Sequence, residues 1–158
     1  MEGIALLRAG VAAFRGTGAV TYVPFFLTLL ADAEGKAKEW DQGLDHLAEA
    51  ERLMAKTEER WAEAELYRVR GELLCAGHDP AGAERCFCQA IGIAQRQSAK
   101  FWELRAAISL ARLWRAQGKR NAARDLLAPT YGWFTEGFDA PVLKEAKAGL
   151  GQHDWNAV

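Results

Sequence analysis

Apolar residues recur at three- and four-residue steps through almost the whole chain, in blocks separated by short polar turns. Ile4, Leu7, Val11 and Phe14 open the pattern as one stripe, which is the spacing of a single helix face. Read with the breakers, the pattern predicts a first helix over residues 2–15 and helix pairs over 20–56, 60–97 and 99–134. A capping helix follows over 140–150, and residues 151–158 read as a frayed tail. Asp79 before Pro80 is a helix start, since the carboxylate caps free N–H groups and proline needs none at the first position. Asp139, two before Pro141, is expected to repeat that logic. The expectation is an all-α chain of about eight helices forming one domain over 1–150.

The chain also aligns with itself at a shift of 40 residues. Gly3, Gly43, Ala83 and Ala123 fall in one register, Leu7, Leu47, Phe87 and Leu127 in a second, and Gly10, Ala50, Ala90 and Thr130 in a third. Ala31, Gly71 and Ala111 form a fourth, placed twelve residues before the first. Two antiparallel helices approach closely only where side chains are tiny, and the bulky residue between two small ones then fills the gap to the next pair. Each unit is therefore a first helix and a second helix joined by a turn.

Small, large and small residues at steps of four and three, with a small residue twelve earlier, resemble the tetratricopeptide repeat family. The best-matched unit is Tyr67, Gly71, Leu74, Ala83, Phe87 and Ala90. The resemblance implies a right-handed α-α superhelix, a solenoid whose first helices line a concave peptide-binding face. The 40-residue period departs from the usual length of about 34, and HEAT and armadillo arrays share the longer period. Some relatives of this fold grip the carboxylate end of chaperone tails with Lys and Asn. The matching positions are Thr28, Asp32, Val69, Arg105 and Ser109; only Arg105 fits, which disfavours that ligand.

The segments TEERWAEAELYRVRGELL, AAISLARLW and LLAPTYGWFTEGFDAPVLKEAKAGL carry a narrower resemblance. They are similar to the C-terminal repeat region of bacterial signalling proteins that join a class III nucleotide cyclase, an AAA-type ATPase and a tetratricopeptide region. The chain has no GxxxxGK[ST] loop to cradle phosphates, so catalysis by such relatives does not transfer to it. The reading is a non-catalytic module with no cofactor.

Composition narrows this further. Twenty basic and 21 acidic residues nearly cancel, so no global field collects phosphates, and nucleic acid is not an expected partner. The longest apolar run, Val20 to Ala31, is too short to span a bilayer. Met1–Phe14 lacks the basic start of a secretory signal. A cytoplasmic, signalling-type protein is expected, consistent with the odd count of three cysteines, Cys75, Cys86 and Cys88. With His78, these are the only clustered soft ligands. Cys86 and Cys88 are about 200° apart around one helix, so they read as fillers at the core edge and no metal site is expected. Trp61, Trp102 and Trp114 read as core or seam, Trp40 and Trp133 lie near helix ends, and Trp155 sits in the tail. His46 and His153 have no nucleophile partner at a telling spacing.

What remains is the first-helix face opposite the small-residue seam: Phe25, Thr28 and Asp32, then Glu65, Arg68 and Glu72, then Arg105, Ile108, Arg112 and Arg115. Its bland reading is a solvated helix face. Its sharper reading is a peptide groove whose three-arginine end takes an acidic segment. Scaffolding by such a groove stands beside a second function, structural coupling within a larger signalling machine. The stripe of the first helix also needs cover. Either the segment belongs to a longer array, or two copies pair end to end through residues 1–30 as a homodimer.

Overall fold

The computed structural model describes residues 2–151. They form α1 (Glu2–Gly16), α2 (Val23–Lys36), α3 (Trp40–Thr57), α4 (Glu63–Ala76), α5 (Pro80–Arg96), α6 (Lys100–Ala116), α7 (Arg120–Gly132) and α8 (Pro141–Leu150). Among the described residues the fold is all-helical, with no strand. None of these helices is long and apolar enough to cross a membrane.

The helix starts follow local chemistry. α2 begins at Val23, three residues into the apolar run. The Thr17 hydroxyl donates to the Phe14 carbonyl at 2.7 Å, and Gly18 takes a φ of 81°, which turns the chain after α1. At α5 the Gly82 N–H donates to Asp79 Oδ1 at 2.8 Å, a side-chain cap one step ahead of Pro80. A Cβ on Gly82 would collide with that carboxylate. The second expected cap does not form. Ala140 occupies the cap position of α8, with no side-chain hydrogen bond. The intervening Ala140 separates Asp139 from Pro141, whereas Asp79 abuts Pro80 directly.

The chain divides into two compact units, the first ending at Cys86 and the second beginning at Phe87. In the first unit α2, α3 and α4 each pack on the other two, and α1 packs on α2. Their core gathers Leu27, Ala31, Leu47, Ala50, Val69 and Leu73. In the second, α6, α7 and α8 pack on one another in the same manner, around Leu104, Ala107, Ala111, Leu127, Leu143 and Ala146. Helix α8 therefore stands to α6 and α7 as α4 stands to α2 and α3.

The seam between α2 and α3 is tight at the small residues. A Cβ on Gly43 would lie 3.2 Å from the Ala31 carbonyl oxygen and 2.9 Å from a methyl of Leu73. Glycine is required there by space, since any larger side chain pushes against backbone. Gly43→Val is expected to cost about 1–3 kcal/mol through overpacking. Phe87, 1% exposed, is expected to cost about 3–5 kcal/mol on Phe87→Ala through the cavity left behind. Urea unfolding of both variants checks this; losses as small as that of a surface change such as Arg112→Ala would show the register to be misassigned.

Candidate functional site

The first-helix stripe separates into core and surface. Thr28 is buried, its hydroxyl donating to the Pro24 carbonyl at 2.8 Å. Ile108 is part of the second unit's core. Both positions were expected on an open face. Glu65 and Arg68, expected on the same face, are buried as well; the stripe drawn in three- and four-residue steps is broader than the exposed strip, and these four lie inside its edge.

The charged residues of the stripe on α2 and α4, Asp32, Glu65 and Glu72, converge on one guanidinium. Arg68 donates from Nε to Glu65 Oε2 at 2.9 Å and from its second terminal nitrogen to Glu65 Oε1 at 2.8 Å. It also reaches Glu72 Oε1 and Asp32 Oδ1, each at 3.3 Å. Lys36 donates to the other Asp32 oxygen at 2.6 Å. Two positive and three negative charges leave this cluster with one negative charge. Arg68 is only 6% exposed and Glu65 3%, so the pair is a desolvated fork with two parallel hydrogen bonds. Burial pulls the Arg68 guanidinium down, but the hydrogen bonds and charge of Glu65, with Glu72 and Asp32, more than reverse it and the group is held raised. Burial likewise pushes Asp32 up, yet the Lys36 hydrogen bond and the Arg68 charge leave its carboxyl below the ordinary value. Phe25 packs beside this face, its ring 4.8 Å from that of Trp61.

On α6 the three arginines have separate engagements. Arg105 lies over the rings of Phe101 and Trp102, at 5.9 and 5.8 Å, within cation–π reach. Arg112 faces Glu145 of α8 at 3.6 Å. Arg115 donates to the Gly149 carbonyl of α8 at 2.9 Å. The chain's own last helix thus draws on two of the three groups expected to hold an acidic segment.

Two further polar clusters escaped the sequence reading. Glu34 is wholly buried, clasped by Arg8 Nε and Nη2 at 3.0 and 2.9 Å and by His46 Nδ1 at 2.7 Å. Arg8 also bonds Glu39 and Gln42, and Arg15 bonds Glu49, so α1 is moored to its neighbours by charge. Glu51 accepts from the Tyr67 hydroxyl at 2.6 Å and from Arg70 at 2.8 Å. The Arg70 hydrogen bond, opposed by burial, holds the Glu51 carboxyl below its usual range. The only sequence signal for these was spacing by 12 to 34 residues, which no local periodicity encodes.

Cys75, Cys86 and Cys88 remain thiols, and burial pushes that of Cys86 up. Among the described residues no group of three or more His, Cys, Asp or Glu is placed to hold a metal ion. Trp61 is exposed and not in the core, donating its Nε1–H to Glu59 Oε1 at 2.8 Å, while Trp40 packs against the first core and Trp114 against the second. His78 occupies a turn at a φ of 64°. His153 and Trp155 lie outside the described residues.

No family model matches this sequence, and no curated protein is significantly similar to it.

Removing Arg68 strands the buried Glu65 carboxylate beside two others. Arg68→Met is expected to destabilise the protein by about 3 kcal/mol at neutral pH. The deficit should shrink as pH falls, because protonation relieves the stranded acids. In the unmodified protein the sign is the reverse. Asp32 and Glu51 have depressed folded values, so their contribution is complete above the ordinary carboxylate range near 4 and is lost as pH falls through those depressed values. Thermal unfolding of both proteins from pH 7 to pH 3 checks the two trends.

Proposed function

We propose that this chain is a non-catalytic protein-interaction module of the tetratricopeptide class, its helix pairs repeating at 40 residues and its first-helix faces receiving a segment of a partner protein. The observation that carries this reading is the same three-helix arrangement built twice, α2–α3–α4 and α6–α7–α8. A repeat stacks identical seams and leaves corresponding faces free to vary, which is the use such arrays make of their exposed helices. Here those faces carry different side chains: Arg68 bonded to Glu65, Glu72 and Asp32 on the first unit, and Arg105, Arg112 and Arg115 in turn along α6 of the second. Arg105 beside Phe101 and Trp102 offers a cation with aromatic surface, suited to a carboxylate flanked by apolar groups.

The second reading, a coupling or oligomerisation segment of a signalling protein, is favoured by the apolar surface that α1 presents, with Leu6 70% exposed.

Fluorescence titration with an acidic peptide separates the two. A module that reads acidic segments binds the peptide with an affinity that falls as salt rises, because exposed charges are screened within about 8 Å at physiological ionic strength. Joint substitution of Arg105, Arg112 and Arg115 to alanine is expected to abolish that binding. An affinity indifferent to both salt and the triple substitution would remove the basic face from consideration.

A further inference from the structure

Helix α1 repeats the register of the second helices without their cover. On α3, Gly43, Leu47 and Ala50 are buried, and on α7 so are Ala123, Leu127 and Thr130; α2 packs on the former helix and α6 on the latter. The corresponding residues of α1 are Gly3, Leu7 and Gly10, all exposed, with Leu7 at 38%. A Cβ on Gly3 or Gly10 would meet nothing within 4 Å, whereas on Gly43 it would press on the Ala31 carbonyl. Beside this seam runs an apolar groove of about 390 Å³, walled by Leu6, Leu7, Gly10 and Phe14 of α1 and by Phe26 and Leu29 of α2. The surface is shaped to receive an antiparallel helix.

We infer that the helix it receives is α1 of a second copy, in a two-fold homodimer. The sequence of α1 is complementary to itself when reversed. Setting Glu2 of one copy against Arg15 of the other places Gly3 opposite Phe14, Leu6 opposite Val11 and Leu7 opposite Gly10. Each large side chain then meets a small residue or an apolar one across the axis, twice over by symmetry. The charge pattern agrees, since Glu2 is the acid of the first turn and Arg15 the base of the last. Antiparallel pairing brings them together at both ends, where Arg15 also bonds Glu49 of its own chain, and opposes the two helix dipoles. The one charge in the middle of the helix, Arg8, is drawn to Glu34, Glu39 and Gln42, which leaves the exposed face between Gly3 and Phe14 uncharged. A helix of 15 residues is about 22 Å long. A single helix with its α2 wall is a smaller contact than the usual ~800 Å² per copy of a stable interface. The dimer is therefore weak and concentration-dependent. This inference is independent of what the first-helix faces bind.

Sedimentation equilibrium of the full chain over a micromolar to near-millimolar range tests it. The mass is expected to rise from 17.4 kDa toward twice that value. Leu6→Glu should hold it at the monomer, with far-UV circular dichroism unchanged because Leu6 is 70% exposed and not part of the core; Leu7→Glu should do the same. Glu2→Lys should weaken association several-fold at low salt. Trp133→Glu, at an exposed site on the second unit, should leave it intact. A monomeric mass for the unmodified chain throughout would overturn the inference and leave the seam to a helix of another protein or another segment. Association that survives in folded Leu6→Glu, or that Trp133→Glu abolishes, would overturn it by placing the contact elsewhere.

Discussion

The closeness of helix pairs at their small residues governs the rest of this structure. Where the Ala31 carbonyl lies 3.2 Å from the space a Gly43 side chain would fill, the two backbones are near van der Waals contact, and the pairing distance is set by main chain. Leu47, one turn on, is then driven fully into the core with Leu27 and Leu73 around it. The opposite side of each first helix is thereby fixed in orientation, which is why Asp32, Glu65, Arg68 and Glu72 meet in one cluster. An apolar core alone would permit several rotations of α2 and α4. The glycine seam selects one, and the charge cluster inherits it.

Helix α1 is held by a different kind of bond. Val11 is its one buried residue, and Phe14 stacks edge-on against Phe26 at 5.2 Å. Most of its attachment is ionic: Arg8 reaches the buried Glu34, which His46 steadies from α3, and Arg15 reaches Glu49. A wholly buried carboxylate is costly unless several donors satisfy it. Glu34 has them only while α1 is in place, so the polar clamp makes the docking of α1 specific where apolar contact is thin.

The helices and the seam were legible in the sequence because both are local or periodic. Three- and four-residue steps give the helices, and the 40-residue shift aligns Gly43, Ala83 and Ala123 without reference to any contact. The starts were less legible. The turn built by Thr17 and Gly18 delays α2 by three residues from the onset of its apolar run, and Ala140 displaces Asp139 from its capping role. The candidate face was half legible: Glu65, Arg68 and Glu72 share one cluster, but Glu65 and Arg68 are buried in it, and Thr28 and Ile108 turn into the core, since periodicity gives a stripe and not its edges. The engagements of Arg112 and Arg115 depend on α8, more than 30 residues further along. Such a pairing is decided by tertiary packing and leaves no trace in a helical wheel.

The turns between helices have a consequence of their own. Lys38, Glu58, His78 and Ser98 take positive φ values of 66°, 58°, 64° and 53° at the reversals that follow α2, α3, α4 and α5, while Gly18 and Gly118 do so after α1 and α6 at 81° and 80°. A non-glycine residue in this left-handed region carries strain of about 1 kcal/mol. Only two of these six reversals use the residue that relaxes it. The fold therefore tolerates an inexpensive imperfection at regular intervals: an array built on this template with glycine at each reversal would shed that strain without altering a single packed surface.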